Sequence, residues 1–247
     1  MIDFTIQIAG TAAAVSAMFE STRFFCQEYL SQAEPDFSVR VCGADIEYER
    51  QKSAREDALE GLPPREYSDA YLETIAVQRK IVQHLFEYDT LLFHGSVVAM
   101  DGSAYLFTAK SGTGKSTHTR LWRQVYGSRA VMVNDDKPFL RLTSSEVLAY
   151  GSPWNGKHRL STNTCVPLKA ICILERGSEN RIRPIPAKEA LLILLQQSSR
   201  PAEGAQMGKY LELIDMLSSR VAFYRLQCTM DPEAAIIAHD AMTPASF

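Results

Sequence analysis

The chain has 247 residues, enough for one large domain or one domain with a smaller appendage, and 46% apolar against 22% charged residues is the balance of a globular protein with a sizeable core. A formal net charge of −3 gives no general attraction to nucleic acid, and neither a polybasic block nor a bilayer-length apolar run points to a membrane. Five scattered cysteines without a CxxC pair suggest neither a disulfide framework nor a zinc site, so reduced thiols in a cytoplasmic protein are expected.

A strand is expected near 2–9, where Phe4, Ile6 and Ile8 alternate with Thr5 and Gln7. The uncharged start has a faint likeness to a secretory leader. Asp3 stands where such a leader needs Lys or Arg, so secretion is the lesser alternative. An apolar patch with helical spacing follows at 23–30, then a short strand at 37–41. The charged run EYERQKSAREDALE suits a solvated helix face or loop. GLPPRE at 61–66 is a strong breaker and the expected domain boundary.

After it comes the clearest helix, SDAYLETIAVQRKIVQHLFEYD, with Ser68 as N-cap and Tyr71, Ile75, Val82 and Leu85 close to one apolar face. LLFHGSVVAM and SAYLFTA read as two strands joined by Asp101-Gly102, a strong hairpin signal. A helix from Lys115 to Tyr126 is expected to end at Gly127. AVMVN, at 130–134, is a buried-type strand closed by Asp135 and Asp136. KPFLRL and EVLAY are short strands around TSS, GSPWNGKHRLSTNT is a polar loop, and LKAICILERG returns as a buried strand. The last third is expected to be helical, at 187–198, 208–219 and 231–242.

Between the second strand of the hairpin and the 115–126 helix lies Ala109-x-x-x-x-Gly114-Lys115-Ser116, the phosphate-loop (Walker A) pattern with Ala for the first Gly. Gly112 and Gly114 let the backbone curl so that successive N–H groups face one anion, and the helix start adds its dipole to the same spot. Small neighbours, Ser111 and Thr113, leave room for phosphates. Lys115 suits the β/γ-phosphates, Ser116 offers its hydroxyl to Mg²⁺, and Thr117 reaches for the α-phosphate. Asp135 and Asp136 end the next strand, where one carboxylate holds Mg²⁺ and the other accepts the proton of an attacking hydroxyl. The blander alternative for these residues is a Gly/Ser helix cap followed by a turn at NDDKP.

FHGSVVAMDGSAYLFTAKSGTGKST followed by AVMVNDDKPFL, about residues 90–142, resembles the HPr kinase/phosphorylase and phosphoenolpyruvate carboxykinase group. The resemblance implies an α/β fold: a phosphate-loop, nucleotide-binding mixed sheet of that type, with a small N-terminal α+β segment and C-terminal helices. It implies that His94 falls on the family's His-Gly histidine, Gly112, Gly114, Lys115 and Ser116 on the phosphate loop, Asp135 on the catalytic aspartate and Asp136 on its partner. Residues 166–177 are also similar to a strand of short HPr-kinase-like proteins. The Glu-Val-Arg-Gly-Leu-Gly type segment of the bifunctional enzymes is absent, its place taken by YGSPWNGKHRLSTN, and the chain is far shorter than a carboxykinase.

The function expected is therefore an ATP- and Mg²⁺-dependent kinase acting on a hydroxyl of a protein, peptide or small metabolite. Residues 1–66 form an N-terminal α+β segment that is a candidate acceptor-recognition region, and 67–247 form the kinase domain. Asp135, His94 and Lys115 are the catalytic candidates, residues 111–117 bind nucleotide, Ser116 and Asp136 bind metal, and Lys157 and Arg159 face the substrate. His94 has a second reading, a strand-bend histidine bonded to backbone, and Lys157, His158 and Arg159 have one as a solvated basic loop. His118 and Trp122 are expected to pack, Trp154 to anchor the polar loop, and Glu175 and Arg176 to end a strand at the edge where α/β sites gather. No nucleic-acid or membrane partner is expected, and a homo-oligomer is compatible with the sequence. The alternative function is a nucleotide-gated binding module without transfer.

Overall fold

The alternation at the start of the chain becomes strand β1 (Ile2–Ile8), which turns through Ala9 and Gly10 into an antiparallel partner, β2 (Thr11–Ala17). The structure is a computed structural model describing residues 1–59, 61–110, 112–202 and 204–243. The chain divides into two compact units, Met1–Leu85 and Phe86–Phe247.

In the first unit, β3 (Phe37–Arg40) pairs parallel with β2, and three helices accompany the small sheet: α1 (Glu20–Phe25), α2 (Gly43–Leu59) and α3 (Asp69–Leu85). The sequence reading has no strand at β2. TAAAVSA has little intrinsic strand preference, but pairing between β1 and β3 buries its small side chains, and this context overrides propensity. Ser68 caps α3 as expected, its Oγ accepting the Tyr71 N–H at 3.3 Å. Tyr71, however, is 47% exposed, and Leu72, Ala76, Ile81, Val82 and Leu85 form the buried face. Buried Glu73 accepts the N–H groups of Met18 and Phe19 and the Thr22 hydroxyl, so a carboxylate from α3 satisfies the start of α1.

The second unit is built on a nine-stranded mixed sheet with the order β4-β8-β9-β10-β6-β5-β7, extended by β12 beside β10 and β11 beside β12. The strands are β4 (Thr90–Leu92), β5 (Ser96–Met100), β6 (Ser103–Thr108), β7 (Val131–Asn134), β8 (Phe139–Leu142), β9 (Val147–Tyr150), β10 (Cys165–Arg176), β11 (Arg181–Ile185) and β12 (Ala222–Cys228). The helices are α4 (Lys115–Tyr126), α5 (Ala187–Gln197), α6 (Met207–Arg220) and α7 (Glu233–Met242). The fold is thus mixed α/β with an open mixed sheet.

Two expectations need correction. LLFHGSVVAM is not one strand: the chain breaks at Phe93–Gly95, so β4 pairs with β8 while β5 pairs with β6 and β7. A Cβ at Gly95 would stand 3.0 Å from the Leu106 side chain and 3.1 Å from the Phe107 carbonyl oxygen, so a side chain at the bend would crowd β6. The last third is also not purely helical, because β11 and β12 lie within it and β12 is a parallel neighbour of β10.

Directions decide where a site can form. β10 and β12 run parallel to β6, whereas β5 runs antiparallel to both β6 and β7. The C-terminal ends of β6, β7, β10 and β12 therefore share one sheet edge with the N-terminal end of β5. Helix α4 returns across one face and packs Leu121 and Trp122 with Tyr105, Phe107, Leu174 and Ala235 in the main core. All five cysteines are free thiols. Among the described residues no helix is long and apolar enough to cross a membrane.

Candidate functional site

β6 delivers the chain into residues 109–114, and α4 begins at Lys115. Gly112 (φ +75°) and Gly114 (φ +122°) occupy conformations that L side chains rarely adopt, which is why glycine stands at both. The Thr113 N–H donates to the Lys110 carbonyl at 3.2 Å and closes the turn, and Arg176, at the end of β10, donates to the Gly112 carbonyl at 2.5 Å. Ser111 lies outside the described residues.

The Lys115 side chain is folded back inside this turn. The residue is 9% exposed and its Nζ donates to the Ala109 carbonyl at 3.3 Å. Burial pushes the ammonium below its usual range, Lys137 adds to the effect, and Asp136 and Asp135 oppose it. Ser116 and Thr117 follow on the first turn of α4, half-buried at the same end.

Across β5 stands the acidic pair. Asp135 is 6% exposed, and its Oδ1 accepts the Ser96 hydroxyl at 2.6 Å. The Ser96 Oγ is in turn 2.9 Å from Thr119 Oγ1 on α4. This chain of hydroxyls links the acid to the helix that starts at Lys115. Asp136 is more open, its Oδ1 lying 3.4 Å from His94 Nε2. Burial raises the Asp136 carboxyl, with Lys137 and Lys115 opposing. Burial, Lys137 and Lys115 push His94 down to about 3, so its imidazole is neutral and its approach to Asp136 is polar rather than ionic. The His94 backbone N–H also donates to the Gln197 carbonyl at 2.6 Å, so the strand-bend feature coexists with a place at the site.

The turn NDDKP is real as well. Asn134 Oδ1 accepts the N–H groups of Asp136 and Lys137 at 2.8 and 2.7 Å, which closes the turn that carries the acids. The Asn134 amide donates to the Ser152 carbonyl and hydroxyl, and Asp135 N–H donates to the Leu160 carbonyl at 3.0 Å. The polar loop is thereby laid along the acidic pair, and a Cβ at Gly156 would stand 3.1 Å from the Asp136 Cβ. Lys157, His158 and Arg159 follow as exposed residues on this loop, and Trp154 is buried edge-on to Phe139.

The structure thus brings His94, Lys115, Asp135 and Asp136 together and sets Lys157 and Arg159 on the adjoining loop. Sequence reasoning overlooked Ser96, Thr119 and Asn134, which orient these residues. The visible signal was a serine directly after His94-Gly95 and an asparagine directly before the acids. His118 packs as expected, 4.5 Å from the Phe107 ring, and accepts the Trp122 indole N–H at 3.2 Å. Glu175 pairs with Arg225.

The donor set suits Mg²⁺ bound together with a phosphate ligand. Among the described residues no group of three or more His, Cys, Asp and Glu side chains is arranged to hold a metal by itself. A site of one or two carboxylates, one hydroxyl and substrate oxygens is what Mg²⁺ commonly uses, and Ser116 with the acidic pair offers those ligand types at one sheet edge.

A family model described as ScmC, SynChlorMet cassette protein ScmC, matches residues 65–235. No curated protein matches the sequence. Among solved structures, the Hpr(Ser) kinase/phosphatase from Coxiella burnetii is similar at a TM-score of 0.37 and 11% identity, covering 62% of this chain and 99% of that one. A score of this size does not establish a shared fold, so function has to be read from the site's own residues.

Proposed function

This chain belongs to the SynChlorMet cassette protein ScmC family, and we propose that it works as an ATP-dependent kinase that transfers the γ-phosphoryl group to a hydroxyl of a protein, peptide or small molecule. The observation that carries this reading is the single sheet edge where a glycine-shaped turn, a buried lysine at a helix start and an acidic pair, buried Asp135 and half-buried Asp136, meet. The resemblance of residues 90–142 to HPr kinases points the same way.

In this reading the backbone amides of residues 112–117 and the start of α4 bind the phosphates, with Thr113 leaving room beside them and Thr117 reaching for the α-phosphate. Lys115 places its charge on the β/γ oxygens, and those anions restore the ammonium that burial disfavours. Ser116 and Asp136 hold Mg²⁺, which supplies charge neutralisation for a loose phosphoryl transition state. Asp135 accepts the acceptor's hydroxyl proton as that oxygen bonds to the γ-phosphorus and the bond to the β–γ bridging oxygen breaks, releasing ADP. The Ser96 hydroxyl holds one Asp135 oxygen and leaves the other for the incoming hydroxyl, the base-and-orienter arrangement of acid–base catalysis. His94 steadies Asp136 as a neutral imidazole. Lys157 and Arg159 offer positive charge to an anionic or carboxylate-bearing acceptor on the loop beside Asp136.

Purified protein incubated with Mg²⁺ and γ-labelled ATP against a panel of Ser/Thr peptides, sugars and small alcohols tests the reading. Label transferred to a hydroxyl supports it. Tight Mg²⁺–ATP binding with no transfer to any acceptor class, water included, would replace it with a nucleotide-gated binding module.

A further inference from the structure

On the opposite side of β6 from the acidic pair lies a cavity of about 400 Å³, within the roughly 300–1,000 Å³ range of small-molecule sites. It is bounded by Ala109 and Thr113 of the loop, the end of β10, Arg225 in the middle of β12 and helix α5. Ile173, Leu192 and Ile193 give it apolar walls, and the Glu175–Arg225 pair adds a polar rim. Leu192, on α5, is 67% exposed. None of the catalytic candidates lines this cavity.

Resting on the kinase reading above, we propose that this cavity receives the nucleobase and ribose of the nucleoside triphosphate whose phosphates lie on residues 112–117. Strand order decides the occupant. Along the sheet edge the sequence is β12, β10, β6, β5, β7. The transferring phosphoryl group must sit at the acidic pair that ends β7, two strand spacings, roughly 10 Å, from the loop strand β6. A triphosphate seated on the loop with its γ-phosphoryl toward β7 directs its α-phosphate and nucleoside the other way, over β10 and β12. The cavity begins there, against the same loop, with walls suited to a flat, largely apolar base and a rim suited to its polar edge. An acceptor in the cavity would have the whole loop between its hydroxyl and Asp135, whereas the 151–164 loop already runs along that acid. The two ligands therefore enter from opposite sides of β6. Arg176 joins the two halves by bonding the Gly112 carbonyl from the cavity side.

Calorimetric titration with Mg²⁺–ATP and with Mg²⁺–tripolyphosphate, which has the phosphates and no nucleoside, tests this. The wild type is expected to bind ATP at least about tenfold more tightly than tripolyphosphate. Ile193→Trp, which fills the cavity, and Leu192→Asp, at an exposed position that folding tolerates, are expected to bring ATP down to the tripolyphosphate level and leave tripolyphosphate unchanged. Wild-type-like ATP affinity in both variants overturns the proposal while leaving the kinase reading intact, and acceptor turnover lost at unchanged ATP affinity assigns the cavity to the acceptor instead. A wild type that binds neither ligand overturns the kinase reading and this proposal with it.

Discussion

His118 makes the fold's dependence on pH measurable. It is 2% exposed, packed on Phe107, and accepts the Trp122 indole N–H, and burial pushes it down from its usual 6.5 to about 3. The folded protein keeps it neutral, while the unfolded chain protonates it below pH 6.5. Its contribution is therefore fully present above that value and is lost as pH falls toward 3. At pH 5.5 the unfolded state has gained one pH unit of protonation that the folded state has not, worth about 1.4 kcal/mol relative to pH 7.5. His94, also pushed down to about 3, adds a similar amount, so the two histidines together cost about 3 kcal/mol over this interval. The raised Asp136 carboxyl works in the opposite direction, adding stability on acidification, and cancels when a variant is compared with the wild type. Urea unfolding of wild type and His118→Gln at pH 7.5, 6.5 and 5.5 reads the difference. The variant should be less stable overall yet lose about 1.4 kcal/mol less than the wild type across the series. Parallel pH dependences would refute the buried neutral histidine.

The acidic pair should separate by phenotype. Asp135→Asn is expected to keep Mg²⁺–ATP affinity and lose phosphoryl transfer by about 10²-fold or more, while Asp136→Asn mainly raises the Mg²⁺ concentration needed for turnover. Mg²⁺ titrations of both variants check this, and exchanged phenotypes would reverse the roles. Ser96→Ala, which frees the Asp135 carboxylate from its 2.6 Å bond, should lower kcat with little change in the KM for ATP, read by steady-state kinetics. Lys157→Ala with Arg159→Ala should raise the acceptor KM more than the ATP KM. In the same assay HPr should be a poor acceptor, because the segment of the bifunctional enzymes is replaced by SPWNGKHRLSTN.

What could be read from the sequence was what local chemistry specifies. Helix α4 runs from Lys115 to Tyr126 as expected because a glycine at each end takes a conformation that stops the regular structure. The Asp101-Gly102 hairpin holds for the same reason, both residues sitting at positive φ. What escaped depends on a neighbour far along the chain. AFYRLQC carries no clear alternation and becomes β12 because β10 and β11 flank it, and the alanines of β2 are a strand through β1 and β3. Gly95 splits an apparently continuous strand because the chain passes close against β6. The candidate site divides the same way. Its loop and acids were legible as spaced residue types, while the Ser96–Thr119 link and the Asn134 turn appear only once β5, α4 and the polar loop are brought to one edge.

The central claim, that the turn at residues 109–117 binds ATP for phosphoryl transfer, rests most directly on Lys115. Transfer from γ-labelled ATP by the wild type and by Lys115→Ala, with folding of both checked by circular dichroism, is the measurement. The expected result is Mg²⁺-dependent transfer by the wild type and a loss of about 10²–10³-fold in the variant, the scale for removing one preorganised charge partner of the transition state. A folded Lys115→Ala protein that transfers phosphate at the wild-type rate would contradict it.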